Sequence, residues 1–272
     1  MAGQTHSLAL MSDGTVVAWG SNIFGELGNG STSSNSLPAP VPGLSGIRDV
    51  DAGANVSFAL GPDGTVLGWG WSFGLTPTSV QGLSGVTAIA AGSNYIVALL
   101  QDGTVRTVYQ STVENPGLYN VVGVSASPYY CVALQSNTLV WAWSPTSLPY
   151  QALGSTPVQV PFPNPAILGR GGCSGISMDG TVKVWWAENG WMSPGCQVPV
   201  LHGVVAVDVV NSAGIALKSD GTVWIWMQLV YYDQYMHPAV IQFNPGPGLN
   251  PAFTPARGVS GGGSHVLVLR TP

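Results

Sequence analysis

The chain has 272 residues and a formal net charge of -5, and only 7% of its residues are charged, against about a quarter in an ordinary globular protein. Its seven basic residues, Arg48, Arg106, Arg170, Lys183, Lys218, Arg257 and Arg270, are scattered along the chain. That distribution excludes the clustered cationic surface that nucleic acid requires, and no stretch is long and apolar enough for a membrane-spanning helix.

The first element is HSLALMSDGTVVAWG, His6 to Gly20. Ser7 to Leu10 and Thr15 to Trp19 suit a pleated sheet, and Ser12-Asp13-Gly14 joins them with the residues of a tight turn, so the stretch is expected to form a β-hairpin. Further along come Asp63-Gly64-Thr65, Asp102-Gly103-Thr104, a worn copy at Ser136-Asn137-Thr138, then Asp179-Gly180-Thr181 and Asp220-Gly221-Thr222. Six hairpins at spacings of 34 to 50 residues imply a repeat architecture.

Each period has further parts. A short strand ending near glycine precedes a hairpin at Gly46 to Gly53, Gly85 to Gly92, Val121 to Ala126, Gly203 to Val210 and Gly258 to Gly263. After the tryptophan strand come a variable loop and a brief proline-flanked strand, such as Ala39-Pro40-Val41, Thr156 to Val160 or Pro238 to Ile241. Proline suits an edge strand, where some amides need no partner.

The run from His6-Ser7-Leu8-Ala9-Leu10 through Asp13-Gly14-Thr15-Val16 and Ala18-Trp19-Gly20 to Ser21-Asn22-Ile23-Phe24-Gly25-Glu26-Leu27-Gly28-Asn29-Gly30 resembles the regulator of chromosome condensation repeat. The resemblance extends over essentially the whole chain and implies an all-β fold, a β-propeller, usually of seven blades. The leading-strand motif occurs seven times, ending at His265 to Leu269, but the tryptophan strand only six. Seven blades with incomplete terminal ones are therefore expected, with six blades as the alternative. One blade is expected to be closed by strands from both chain ends, which would remove a sheet edge. Residues 1–272 are read as a single domain.

Six residues after each turn aspartate or its equivalent stand Trp19, Trp69, Val108, Trp143, Trp185 and Trp226. A column repeated by the fold is expected to serve it, as rings packed between blades. Trp141 and Trp224, two residues earlier, are expected to pack as well. Trp71 and Trp191 instead fall in the loops beyond the tryptophan strand, with Phe73, Tyr231 and Tyr232. Tyr95, Tyr129 and Tyr130 fall just before leading strands. Such loops emerge on one propeller face, so Trp71, Phe73, Tyr95, Tyr129, Tyr130, Trp191, Tyr231 and Tyr232 are the candidate binding residues. In style the chain is similar to compact bacterial members such as beta-lactamase inhibitory protein II, in which aromatic loop residues on one face grip an enzyme.

Neither the spacing of His6, His202, His237 and His265 nor any motif points to catalysis or a metal, and no cofactor is expected. His6 and His265 share a repeat position and are expected to be hydrogen-bonding scaffold. Cys131 and Cys173 share another, too far apart for a disulfide, and all three cysteines are expected to be reduced. The resulting expectation is a non-catalytic binding protein whose partner is another protein, as an enzyme inhibitor or an assembly module. A lectin-like carbohydrate binder and a self-assembling structural subunit are the alternatives. Low charge favours an extracellular or particle-associated setting over a cytoplasmic one, and since no signal peptide precedes Ala2 that setting implies a mature or trimmed form.

Overall fold

Short runs of β-branched and aromatic residues, punctuated by Gly, Asp and Pro, give strands throughout, as their propensities require. The computed structural model describes residues 1–149, 151–162, 165–169, 171–185, 187–188, 191–192, 196–198, 201–210, 213–232, 238–243, 248–250, 255–261 and 265–270, in which every strand pairing is antiparallel. Two compact units result, Met1–Val124 with Gly262–His265, and Ser125–Gly261 with Val266–Pro272.

In the first unit, β1 (His6–Leu10), β2 (Val16–Gly20) and β3 (Asn35–Pro40) form one sheet. The second joins β4 (Asp49–Ala52), β5 (Val56–Leu60), β6 (Val66–Gly70) and β7 (Gly74–Ser79). The third joins β8 (Val86–Ala91), β9 (Tyr95–Leu100), β10 (Val105–Tyr109) and β11 (Thr112–Glu114).

The fourth sheet starts on β12 (Val121–Ala126), which begins just before the division, and continues in the second unit with β13 (Cys131–Gln135), β14 (Val140–Trp143) and β15 (Val158–Val160). The fifth comprises β16 (Pro165–Leu168), β17 (Ser174–Ser177), β18 (Val182–Val184) and β21 (Cys196–Gln197), with β19 (Ala187–Glu188) and β20 (Trp191–Met192) as a small hairpin between the last two. The sixth joins β22 (Val204–Val210), β23 (Ala213–Lys218) and β24 (Val223–Tyr232). Here β26 (Gly248–Leu249) pairs with the start of β24, and β25 (Pro238–Phe243) with its end. Last come β27 (Ala256–Gly261) and β28 (Val266–Arg270).

Seven main sheets in chain order, the first and last the smallest among the described residues, agree with about seven blades. The expected sharing of one blade between chain ends is corrected. Met1 and Ala2 fold back along β1, where Leu8 N donates to Met1 O at 2.8 Å and Ala2 bridges Ser7, while β27 and β28 pair with each other. The turn at residues 3–5 lets the chain satisfy the β1 edge locally.

Each Asp-Gly-Thr turn does two things. The Asp13 carboxylate accepts hydrogen bonds from the Thr15 hydroxyl at 2.6 Å and the Thr15 amide at 2.9 Å, and the same pairs recur at Asp63/Thr65, Asp102/Thr104, Asp179/Thr181 and Asp220/Thr222. Bonds from the threonine hydroxyl and then its amide hold these exposed carboxyls below their ordinary pKa. The turn glycine adopts a positive φ, 80° at Gly14, and its carbonyl accepts an amide at the entrance to the following sheet. Ile47 N donates to Gly14 O at 3.0 Å, Val86 to Gly64 at 3.1 Å, Val121 to Gly103 at 3.0 Å, Val204 to Gly180 at 3.2 Å and Ala256 to Gly221 at 2.9 Å.

The worn copy is corrected by one residue. Leu139 N donates to Asn137 Oδ1 and Thr138 N to Gln135 O, as Thr15 and Gly14 do in the first turn, so the triplet is Asn137-Thr138-Leu139. Thr138 therefore takes the glycine position, with φ 67°, a conformation unfavourable to a β-branched residue.

The first strands of the second, fourth and sixth sheets carry a second link. Asp51 Oδ2 accepts Ala91 N at 2.9 Å, and Asp208 Oδ2 accepts Gly261 N at 2.8 Å. At the corresponding place Ser125 Oγ donates to Gly169 O and accepts Gly172 N. Apolar side chains fill the space between sheets. Trp69 packs with Leu8, Val16, Ala18 and Leu27 of the preceding repeat, Val108 with Val56, Phe58 and Val66, and Trp185 and Trp226 within a larger cluster of the second unit. Trp69, Trp143, Trp185 and Trp226 are fully buried, whereas Trp19 is half-buried. The Trp69 indole N–H donates to Glu26 O at 2.7 Å and that of Trp185 to Gly172 O at 3.0 Å, whereas those of Trp143 and Trp226 have no partner among the described residues. Cys131 and Cys173 are buried free thiols, and burial, reinforced by Asp208, pushes the Cys173 pKa up.

Thr138→Gly should raise the free energy of unfolding by about 1 kcal/mol, read as a higher urea midpoint, and an unchanged or lower midpoint contradicts the strain. Trp69→Phe should cost about 1 kcal/mol more than Trp226→Phe in the same measurement, because only the former breaks an indole hydrogen bond.

Candidate functional site

The loops opposite the Asp-Gly-Thr turns are fastened to one another in the first unit. Gln4 N donates to Gly53 O at 3.2 Å and Ala54 N to Ser93 O at 2.8 Å, joining the turns that enter β1, β5 and β9. Ser21 N donates to Thr5 O at 3.0 Å and Trp71 N to Asn55 O at 2.9 Å, so the loops that leave β2 and β6 share that end of their sheets.

The loop after β2 is built by one side chain. Asn22 Nδ2 donates to Ser31 O and Ser33 O at 2.9 and 3.0 Å, and Asn22 Oδ1 accepts Leu27 N at 2.8 Å. The buried Glu26 carboxylate accepts Phe24 N at 2.8 Å. With the polar groups turned inward, Ile23 and Phe24 stand outward, 68% and 41% exposed. Gly30 N bonds Leu75 O, which brings the loop against β7, where Leu75 is 41% exposed.

The candidate aromatic residues divide by burial. Trp71 is half-buried with its ring 5.8 Å from that of Tyr109, and Phe73 is half-buried edge-on to Phe58 at 5.1 Å. Tyr129 is 48% exposed. Tyr95 and Tyr130 are corrected to core residues, 0% and 4% exposed. Each opens a strand or its approach with the side chain directed inward, and the Tyr95 ring lies so close to Gly92 that a Cβ there would collide with it. Burial also pushes the Tyr130 pKa well up. Trp191 lies in β20 opposite Glu188, and Tyr231 and Tyr232 lie in β24 opposite Val240 and Pro238, but their side chains fall outside the described residues. The apolar residues Ile23 and Leu75 and the amides of Asn55 and Asn94 escape a search for aromatic rings, although the position immediately before each leading strand marks the two asparagines.

The two repeat-equivalent histidines make equivalent bonds. His6 Nε2 meets Ser57 Oγ at 2.9 Å, and His265 Nε2 meets Ser7 Oγ at 2.8 Å, each reaching the serine one position further along the next repeat. Because the Ser57 hydroxyl donates to Glu26 O at 2.8 Å, it accepts from His6, which places the imidazole proton on Nε2. The His6 Nδ1 lone pair is then buried without a partner among the described residues. Burial, with smaller contributions from His265 and the terminal amine, lowers the His6 pKa from 6.5 to about 4. Among the described residues no group of three or more His, Cys, Asp or Glu is placed to hold a metal.

The sequence profile of the regulator of chromosome condensation (RCC1) repeat matches residues 13–60. Over 71 residues the chain is 41% identical to the ultraviolet-B receptor UVR8 of Arabidopsis thaliana, a match covering 25% of this chain and 16% of the receptor. It is 39% identical over 69 residues to the regulator of chromosome condensation of Xenopus laevis, again 25% of this chain and 16% of the relative. Matches to both relatives thus span about a sixth of their length. Among solved structures, human WBSCR16 has a TM-score of 0.74 at 16% identity, covering 98% of this chain and 84% of that one. Prp20p of Saccharomyces cerevisiae, described with its binding properties to Gsp1p and histones, has a TM-score of 0.70 at 18% identity, covering 83% and 70%. At such identities the likeness is one of fold, and the fold is the β-propeller.

The lowered His6 pKa has a defined consequence for stability. Between pH 6.5 and about 4 the unfolded chain takes up a proton that folded His6 refuses. Stability is therefore complete above pH 6.5 and falls with pH across that window, by about 3 kcal/mol in total for this group. In His6→Gln the slope of unfolding free energy against pH should be shallower by up to one proton over the same range, measured by urea unfolding. An unchanged slope contradicts the assignment.

Proposed function

The chain belongs to the regulator of chromosome condensation repeat family, and on that premise we propose that it is a non-catalytic binding protein that holds another protein on the loop side of its sheets. The observation that carries the reading is the outward setting of Ile23 and Phe24 by a loop whose polar groups are satisfied internally, beside the exposed Leu75. Exposed apolar side chains on a rigid support are the usual anchors of protein interfaces. Tyr129 offers the same chemistry in the second unit, an aromatic body with a polar tip. Trp71 and Phe73 support the patch from a half-buried position, and Trp191, Tyr231 and Tyr232 remain part of the proposed surface. Scattered basic residues favour a protein over a nucleic acid as partner. Prp20p, a protein of the same fold, has binding properties to Gsp1p and histones, which favours a protein partner here. Within this class, inhibition of an enzyme and docking of an assembly are the two roles that a rigid loop side suits.

The wild-type protein used as bait should capture one dominant, stoichiometric partner. Phe24→Ser and Tyr129→Ser, made singly, test the two units separately, and a variant at the interface should bind that partner about tenfold more weakly with unchanged thermal stability. Full-strength capture by both variants would overturn the loop-side assignment.

A further inference from the structure

Away from the exposed loop, two side-chain pairs bridge the second and third sheets. The rings of Trp71 and Tyr109 lie 5.8 Å apart at 43°, and both are half-buried. Asn55 Nδ2 donates to Asn94 Oδ1 at 3.2 Å, and both asparagines are half-buried as well. The backbone puts the pairs side by side. Asn55 O accepts the amide of Trp71, and Tyr109 stands opposite Tyr95, the residue next to Asn94, in the β9–β10 register.

The chain is strained immediately after each ring. Ser72 has φ 65° and Gln110 φ 54°, two of the four non-glycine residues with positive φ among the described residues. Such conformations persist only where the surroundings impose them, and they concentrate at binding sites. A carboxamide accepts through its oxygen and donates two hydrogens. The Asn55–Asn94 bond consumes one donor of Asn55 and part of the acceptor capacity of Asn94, leaving an acceptor on Asn55 and two donors on Asn94 side by side. None of the flanking loop residues Ala54, Ser72, Phe73, Ser93, Gln110 and Ser111 is ionisable, so the place suits a neutral ligand.

We propose that Trp71, Tyr109, Asn55 and Asn94 form a subsite for a neutral pyranose. The apolar C–H face of the sugar lies on the rings, and two neighbouring hydroxyls, each both donor and acceptor, match the free acceptor of Asn55 and the free donors of Asn94. A charged sugar or a phosphate would find no counter-charge in these loops, and four groups gathered from the same end of two sheets fit one ring better than an extended chain. The inference goes beyond protein binding and does not rest on it, since its ligand is a free sugar.

Saturation-transfer NMR on the full chain tests it, using the methyl glycosides of glucose, galactose, mannose and N-acetylglucosamine, with N-acetylproline methylamide as a peptide-like competitor. At least one glycoside should receive saturation, strongest on the protons of one ring face. Asn94→Ala should weaken it about tenfold, the equivalent of one hydrogen bond, and Tyr109→Leu should do the same through a different contact. Circular dichroism on each variant identifies any that misfolds, and the other then decides. No transfer to any glycoside in the wild type, equal transfer in both folded variants, or transfer to the proline amide in place of the sugars would overturn the proposal.

Discussion

The second, third, fourth, sixth and seventh sheets are each placed by a backbone hydrogen bond to the turn of the sheet before. In an Asp-Gly-Thr turn the glycine N–H is used within the hairpin, as Gly14 N is by Met11 O, which leaves the glycine carbonyl for an outside donor. That donor is the amide at the entrance to the first strand of the next sheet. Because the turn lies at one end of the hairpin, fixing it also fixes where the loops emerge at the other end. The tryptophan packing and the outward setting of Phe24 both depend on that registration.

Much of this is legible in the amino-acid order. Asp, Gly and Thr at adjacent positions announce a turn, and a tryptophan six residues later announces a buried strand, as Trp69, Trp185 and Trp226 show. Identifying the loop aromatics is harder, since neighbouring residues at the start of a strand point to opposite faces. Tyr129 and Tyr130 look interchangeable as letters, yet the first is exposed and the second buried. The same one-residue step separates Asn94 from Tyr95. A shift of that size also decides between Ser136 and Asn137 as the turn residue, where no glycine remains to mark the register.

Other features are invisible locally because their partners belong to the following repeat. An aspartate in an apolar strand, such as Asp208, has no evident purpose until the Gly261 amide is brought to it. Asp51 and Ser125 occupy the corresponding place with different chemistry, a carboxylate that accepts an amide of the next repeat and a hydroxyl that both donates and accepts. What the positions share is a demand for a polar atom at a given height on the strand. That demand does not select one amino acid, so it leaves no motif.

Almost every one of these links joins a repeat to the one that follows it, so a chain emerging from the ribosome can dock each sheet on its predecessor without waiting for distant sequence. The bond between Ser7 and His265 breaks the rule, because its partners are 258 residues apart. Closing so long a loop is entropically costly and has to follow the ordering of the repeats between. Ser7 is thus a docking point whose partner follows 258 residues later, and its occupation by His265 reports that the repeats between the two are in place.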